Sequence, residues 1–252
     1  MKNNNIPLSI VILTHRSDQR FLNALKSAQK AKEVLVLDYQ SENNWKNLEK
    51  KHHFTLIKRS GPIENFAKER NLGLKKAKHE WVLFLDSDEE ISSESWDEIE
   101  DLVKEKLIDG FFVERTDVFY GKPLRFGETG GTNFLRLVKK DKAKYLRPVH
   151  ETALIDGKTE YSRIKINHYS HQNITEFLKD ITHYSLLESE YQNDDLLSPT
   201  KLGIKTIIYP KTKFIKNYIL KLGFLDGWRG LVYATMMSLH SLMVRIFSYE
   251  NL

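Results

Sequence analysis

Two aspartates one residue apart, Asp86-Ser87-Asp88, close the apolar run Trp81-Val82-Leu83-Phe84-Leu85 and lead into Glu89 and Glu90. Five apolar residues in a row read as a strand buried on both faces. Carboxylates delivered at the end of such a strand are costly unless something compensates them, so they point to a site. Alternate residues of an extended chain face the same way, which lets Asp86 and Asp88 address one ion. Hard oxygen ligands at this spacing suit Mg²⁺ or Mn²⁺, shared with the phosphates of a substrate.

Other chemistry competes for these residues. Acidic side chains also open helices, and Glu89 to Glu98 reads as an acidic helix start. A calcium loop of the EF-hand kind is disfavoured, because no glycine stands at its sixth position and no glutamate closes it. A phosphatase with an Asp-X-Asp nucleophile is a rival, weakened by the Glu89-Glu90 pair and by the position of the motif far into the chain.

The elements that must hold the aspartates alternate strand and helix. Ser9–Thr14 reads as a first strand, and Asp18–Ala31 as a helix with Phe21, Leu22, Leu25 and Ala28 near helical spacing. Glu33–Asp38 is a second strand ending in an acid, Trp45–Lys51 a short helix, and Phe54–Lys58 a third strand. A helix from Gly61-Pro62 to Lys78 precedes the Trp81 strand, with proline in its first turn. This alternation predicts an α/β fold with a mostly parallel, nucleotide-binding type of sheet. Ligands of such sheets sit beyond the carboxyl ends of the strands, where the aspartates fall. The middle of the chain changes character: Gly110–Tyr120, Asn133–Val138 and Ser162–Asn167 are shorter strands, with glycines 121, 127, 130 and 131 marking loops. Ile174–Gln192 reads as a helix.

Composition bounds the rest. The 252 residues suffice for one large domain with an appendage, and their apolar content (40%) and charged content (29%) are ordinary for a soluble protein. The absence of cysteine excludes disulfides, thiolate metal sites and a cysteine nucleophile, and fits a reducing compartment. The apolar run Ile6–Leu13 is too short for a signal peptide, and no stretch reads as a clean membrane span. Charge is uneven: residues 196–252 carry eight Lys/Arg against two Asp/Glu, whereas the first 195 carry 31 against 32. A neutral body without a recognisable binding module argues against nucleic acid. A basic tail with apolar helices, Gly203–Leu222 and Leu231–Phe247, points instead to an anionic membrane surface. In the second of these helices Thr235, Ser238, Ser241, Arg245 and Ser248 form one narrow polar stripe beside a wide apolar face. That face suits a membrane interface, packing on the domain, or a homodimer contact.

The run Asn65-Phe-Ala-Lys-Glu-Arg70-Asn71-Leu-Gly73, continued to Trp81 and Asp86-Ser-Asp88-Glu, resembles the signature of family 2 glycosyltransferases with the GT-A fold. Gly127-Glu-Thr-Gly130, Arg136, Arg147-Pro-Val-His150-Glu151, Asn167-His168-Tyr-Ser170 and Tyr218 to Gly227 resemble the bacterial subgroup that builds lipopolysaccharide cores and related surface glycans. The resemblance covers roughly residues 8 to 247. One departure stands out. Where the family shows a pair of acids, then Ser and another acid, this chain reads Asp38-Tyr39-Gln40-Ser41-Glu42-Asn43, with Tyr39 in place of the second acid.

The resemblance implies a GT-A domain over residues 1–195, with a donor half to about 110 and an acceptor half from 111 to 195, and a helical tail over 196–252. It implies a nucleotide-sugar donor, UDP-linked, and a lipid-linked or core-oligosaccharide acceptor, worked on at the cytoplasmic face of the cell membrane. Asp88 would hold a divalent ion, with Asp86 bridging ribose and metal and His168 (His171 being the weaker choice) as a third ligand. Thr14 and Asp38 would line the nucleoside pocket, and Arg70 would hold the diphosphate or orient Asp88. Glu151 is the candidate general base, with Glu128 in a flexible glycine-rich loop as runner-up. Arg136, Arg147 and His150 would meet the acceptor, although either arginine can equally be a paired structural residue. A catalytically silent nucleotide-sugar-binding scaffold is the alternative from another class.

Overall fold

The structure, a computed structural model, describes residues 6–15, 18–39, 45–61, 65–147, 152–191 and 198–251. The first part of the chain runs β1 (Ile6–Thr14), α1 (Gln19–Ser27), β2 (Ala31–Tyr39), α2 (Trp45–His52), β3 (Thr55–Arg59), α3 (Phe66–Lys76) and β4 (Trp81–Asp86). It continues through β5 (Glu89–Ile91), α4 (Ser95–Leu102), β6 (Gly110–Phe119), β7 (Lys122–Pro123), β8 (Thr132–Lys139), β9 (Ala143–Leu146), β10 (Thr152–Ile155) and β11 (Thr159–His168). Three long helices follow: α5 (Ile174–Tyr191), α6 (Pro199–Ile215) and α7 (Trp228–Phe247).

The main sheet has the order β3-β2-β1-β4-β8-β6-β11-β5. Its β3-β2-β1-β4 half is parallel, and the pairs β4–β8, β6–β8 and β11–β5 are antiparallel. The expected α/β fold is therefore present, and its parallel character is concentrated in the half that carries the aspartates. The chain moves outward from β1 to β2 and β3, then returns to place β4 on the other side of β1. That reversal makes a topological switch point between β1 and β4, where the sheet opens a crevice at its carboxyl edge.

Both faces of β1, β2 and β4 are covered, which is why their central runs Ile10–Leu13, Val34–Leu37 and Val82–Leu85 are apolar. On one face Leu8, Ile10, Ile12, Leu83 and Leu85 join Phe21 and Leu25 of α1, Trp45 of α2 and Trp96 of α4 in one core. On the other, Val11, Leu13, Leu35 and Phe84 pack with Ala67 and Leu74 of α3 and Tyr145 of β9. α1 starts where Asp18 caps it, its Oδ1 accepting from the Arg20 and Phe21 amides at 3.1 and 3.3 Å. α3 starts later than the proline suggested: Asn65 is its N-cap, accepting from the Lys68 amide at 2.9 Å, and Pro62 lies outside the described residues.

Glu89–Ile91 is a strand and not the start of a helix. It pairs with the end of β11, with Glu89 opposite His168, and α4 begins only at Ser95. Tertiary pairing overrides the helical bias of the acidic run, because Ile91 is buried in the core and the Asp86 amide donates to Glu89 Oε2 at 2.9 Å.

Two compact units divide the chain across the linear boundary expected at residue 195. The first comprises residues 1–115 and 132–168, and the second comprises 116–131 and 169–252. In the second unit Phe119, Leu124, Phe177 and Ile181 form a core with Val232, Tyr233, Met236 and Met243 of α7. Beyond the exposed Thr235, the polar stripe of α7 faces inward: Ser241, Arg245 and Ser248 are buried, Ser238 Oγ donates to the Pro210 carbonyl at 2.7 Å, and the Arg245 guanidinium lies 4.3 Å from the Tyr209 ring centre. Among the described residues one stretch, Trp228–Glu250, is long and apolar enough to cross a membrane by length and composition. From the sequence alone, no stretch is expected to be a clean membrane span.

Candidate active site

Register aligns the functional residues before any side chain is considered. Thr14 of β1 stands opposite Asp38 of β2, and Leu13 opposite Asp86 of β4. Thr14 and Asp38, both buried, and Asp86 therefore share the carboxyl edge of three adjacent strands at the switch point. Asp88 follows two residues on, and the antiparallel pairing of β11 with β5 carries His168 to the same place. His168 Nε2 lies 3.7 Å from Asp88 Oδ1, with both side chains mostly buried. Residues 80 positions apart in sequence are thus brought together.

Asp86 is held between two guanidiniums. Arg70 Nη2 donates to its Oδ1 at 3.0 Å and Arg136 Nη2 to its Oδ2 at 2.9 Å. Arg70 is 2% exposed and its guanidinium lies 5.3 and 5.7 Å from the ring centres of Phe84 and Tyr145. It is therefore a buried positioning residue that fixes Asp86, and it does not reach out to a diphosphate. Arg136 follows the second of its two readings, a paired arginine: besides Asp86 it approaches Glu89 Oε1 at 3.5 Å, and Arg115 Nη1 approaches the same oxygen at 3.7 Å. Burial acts to raise the Asp86 carboxyl, but Arg136 and then Arg70 outweigh it and hold the group well below the usual carboxylate range. Burial presses Arg136 toward its neutral form, yet Asp86 and Glu89 keep it more firmly protonated than an ordinary arginine.

The Glu69-Arg70-Asn71-Leu72-Gly73 run of α3 does four separate jobs. Glu69 takes Arg59 in a two-pronged pair at 3.1 and 3.2 Å. Arg70 fixes Asp86. Asn71 exchanges two 2.9 Å hydrogen bonds with the backbone of Tyr145, so that β9 is docked on the helix. Gly73 lets α3 approach the sheet: a Cβ there would stand 2.8 Å from Val11 Cγ1 and 3.2 Å from Phe84 Cε1. Tyr39, the residue standing for the second acid, is buried beside this cluster, where burial first and Glu69 second push its phenol far above the ordinary value.

Sequence reasoning missed Glu89 and Arg115 as members of the charged cluster. The available signal was the strand pattern around Arg115 and Arg136, since a charged residue on a half-buried strand needs a partner. Glu151 and His150 lie outside the described residues, between β9 and β10, while Arg147 is exposed just after β9 with a positive φ of 70°. Glu128 belongs to the second unit and its loop is anchored. Lys213 Nζ donates to one carboxylate oxygen at 2.5 Å and Asn217 Nδ2 to the other at 2.7 Å, and Asp226 accepts from the Arg125 and Phe126 amides. A glutamate tied at both oxygens serves as a brace. His171 is likewise structural, 3.1 Å from Asp180 and stacked on Phe177.

A divalent ion finds fewer ligands here than the sequence suggested. No cluster of three or more His, Asp or Glu side chains suited to a metal occurs among the described residues. Asp86 has each oxygen engaged by an arginine, so Asp88 and His168 are the pair that fits an ion. One carboxylate and one imidazole, with the remaining positions left for phosphates and water, is a donor set that fits Mn²⁺ better than Mg²⁺, which prefers oxygen ligands alone.

The model of the glycosyl transferase family 2 matches residues 9–176 of this chain. The chain belongs to that family. As a family 2 glycosyltransferase it carries the Asp-X-Asp and Arg-Asn-X-Gly elements inside the matched span, which decides against the phosphatase alternative. Solved structures similar to it include residues 1-349 of S. aureus TarS, at 14% identity over 96% of this chain and 90% of that one, with a TM-score of 0.49. The same TarS fragment has been solved with UDP and with UDP-GlcNAc. A longer TarS chain matches at 15% identity and a TM-score of 0.47, over 97% of this chain and 53% of that one.

Proposed function

We propose that this glycosyltransferase inverts the anomeric centre as it moves a sugar from a nucleotide-sugar to a lipid-linked or core-oligosaccharide acceptor of a cell-envelope glycan. The observation that carries the donor reading is the meeting of Asp88 and His168 at the switch-point edge that also presents Thr14, Asp38 and Asp86. Uridine is the proposed base because the Asp38 carboxylate can accept from an imide N–H or a ribose hydroxyl. The acceptor class rests on the resemblance of residues 127–130, 147–151 and 218–227 to the lipopolysaccharide-core subgroup.

Departure of the nucleoside diphosphate builds negative charge at the strand edge, and a divalent ion held by Asp88 and His168 would supply charge against it. The protein's own share is positional. Arg70 and Arg136 keep Asp86 ionised and fixed in orientation, so the edge beside Asp88 needs no rearrangement when donor arrives. The acceptor hydroxyl attacks the anomeric carbon from the side opposite the diphosphate, the bond to the diphosphate oxygen breaks, and the hydroxyl proton passes to Glu151 as the proposed base.

Calorimetry with Mn²⁺ and a panel of nucleotide-sugars, run beside a transfer assay, tests this. Asp88→Ala should lose Mn²⁺ binding and about 10²–10³-fold in turnover; unchanged binding and turnover would refute the metal role. Glu151→Gln should bind donor as the wild type does and fail to transfer. Donor binding without transfer by the wild type to any acceptor pool would favour the scaffold reading instead.

A further inference from the structure

The second unit carries an apolar surface that its own core does not use. Along α6 and the π-helical turn that extends it over Lys216–Leu220, Ile204, Ile207, Ile208, Ile215, Ile219 and Leu220 are 47–72% exposed. Ile204, Ile208, Ile215 and Ile219 recur at intervals of four and seven residues, with Lys211 in the longer gap, and so share one face. The surface continues into the next turn with Leu225 and Trp228, 55% and 51% exposed. Isolated exposed aliphatics are ordinary, but a continuous row of this length marks an interaction site. The α7 helix does not cover it, because α7 turns its apolar side to Phe119, Phe177 and Ile181 and its polar stripe to α6.

The charge on this surface selects the occupant. Residues 199–222 contain six lysines and no aspartate or glutamate, and Lys211, Lys216 and Lys221 are exposed among the aliphatic side chains. A second copy docked face to face about a two-fold axis would set these lysines against one another. A layer of anionic headgroups over hydrocarbon satisfies both features together. We propose that the exposed face of α6 and its following turn docks the protein on an anionic membrane surface. Its aliphatic side chains enter the boundary between headgroups and acyl chains, its lysines lie at lipid phosphates, and Trp228 sits at headgroup depth. The docking helix is thus α6, and the serine stripe of α7 belongs to the interior.

Trp228 gives a direct readout, since the other three of the four tryptophans, Trp45, Trp81 and Trp96, are buried. The full-length protein is mixed with vesicles of phosphatidylcholine alone or phosphatidylcholine with phosphatidylglycerol, and its fluorescence and flotation are followed. Only the anionic vesicles should bind it, with a blue shift that Trp228→Phe abolishes and that molar salt reverses. Lys211→Gln/Lys216→Gln should weaken binding about 25-fold, from about fivefold per lysine, and Ile207→Ser/Leu220→Ser should abolish it without moving the thermal midpoint. The proposal is overturned by no binding to anionic vesicles, or by binding that the Ile207→Ser/Leu220→Ser variant retains. A dimer in sedimentation that this variant dissociates would also overturn it and assign the face to a second copy. Flotation is read without donor or acceptor, so its outcome is separate from that of the transfer assay.

Discussion

A carboxylate between two buried guanidiniums is an energetic commitment, and Asp86 shows what it secures. Arg70 and Arg136 are almost wholly buried, so each needs the Asp86 charge, while the Asp86 side chain keeps 31% exposure toward the crevice. Removing the carboxylate takes a charged partner from both buried guanidiniums, although Arg136 keeps Glu89 at 3.5 Å. The cost for fully buried pairs is about 3–5 kcal/mol, and the exposure of Asp86 places Asp86→Asn somewhat below that at neutral pH. The pH dependence has a definite sign. A carboxyl depressed in the folded state stabilises it at every pH above the ordinary carboxylate value of about 4, and that contribution drains away as pH falls from there toward the lower folded value. Urea unfolding from pH 7 to pH 3 should therefore show wild type losing stability faster than Asp86→Asn below about pH 4; parallel profiles would show that the clamp does not hold the charge. The motif itself was legible in the sequence, because a strand ending in Asp-X-Asp is a pattern in neighbouring residues. Its partners Arg136, Arg115 and Glu89 were not legible as partners, because their meeting depends on how β8, β6 and β5 enter the antiparallel half of the sheet.

At the scale of elements, α3 is the part on which the site is hung. One turn and a half of helix fastens β3 through Glu69 and Arg59, β4 through Arg70 and Asp86, β9 through Asn71 and Tyr145, and lies close on β1 because Gly73 has no side chain. Asn71→Ala would leave the Tyr145 N–H and C=O without their side-chain partner. With about 1–3 kcal/mol for each buried group left unpaired, the two together should lose about 2–6 kcal/mol. Denaturant midpoints measure it, and a shift below about 0.5 kcal/mol, within the range of ordinary surface changes, would refute the docking role. Helix and strand order in the parallel half could be read from periodicity, since each element there is amphipathic or wholly apolar over several turns. The short elements resisted. Glu89–Ile91 looks helical by composition and is a strand because β11 pairs with it, and the serine stripe of α7 looks like a solvent face although it is the seam against α6. In both cases a partner distant in sequence reverses the local preference.

At the scale of the molecule, the two compact units have separate cores, and the second is built from segments on either side of the β8–β11 stretch. Phe177 stands at the centre of that second core, buried, with ring centres of Phe119 and Tyr233 at 6.0 and 5.2 Å and His171 stacked at 3.8 Å. Truncating a buried aromatic of this kind costs about 3–5 kcal/mol. If the units hold their structure through their own cores, the cost falls where the cavity is made, since stability is distributed among locally cooperative groups of elements. Hydrogen exchange of Phe177→Ala should then show faster exchange in α5 and α7, while the amides of β1, β2 and β4 keep wild-type protection. Donor binding, which is assigned to the strand edge of the first unit, should survive the same substitution, whereas vesicle binding should weaken as α6 loses the helices packed behind it. Equal acceleration of exchange in β1 and β4 would mean that the chain opens as a single cooperative body, and the sheet core would then share in the stability of the helical unit.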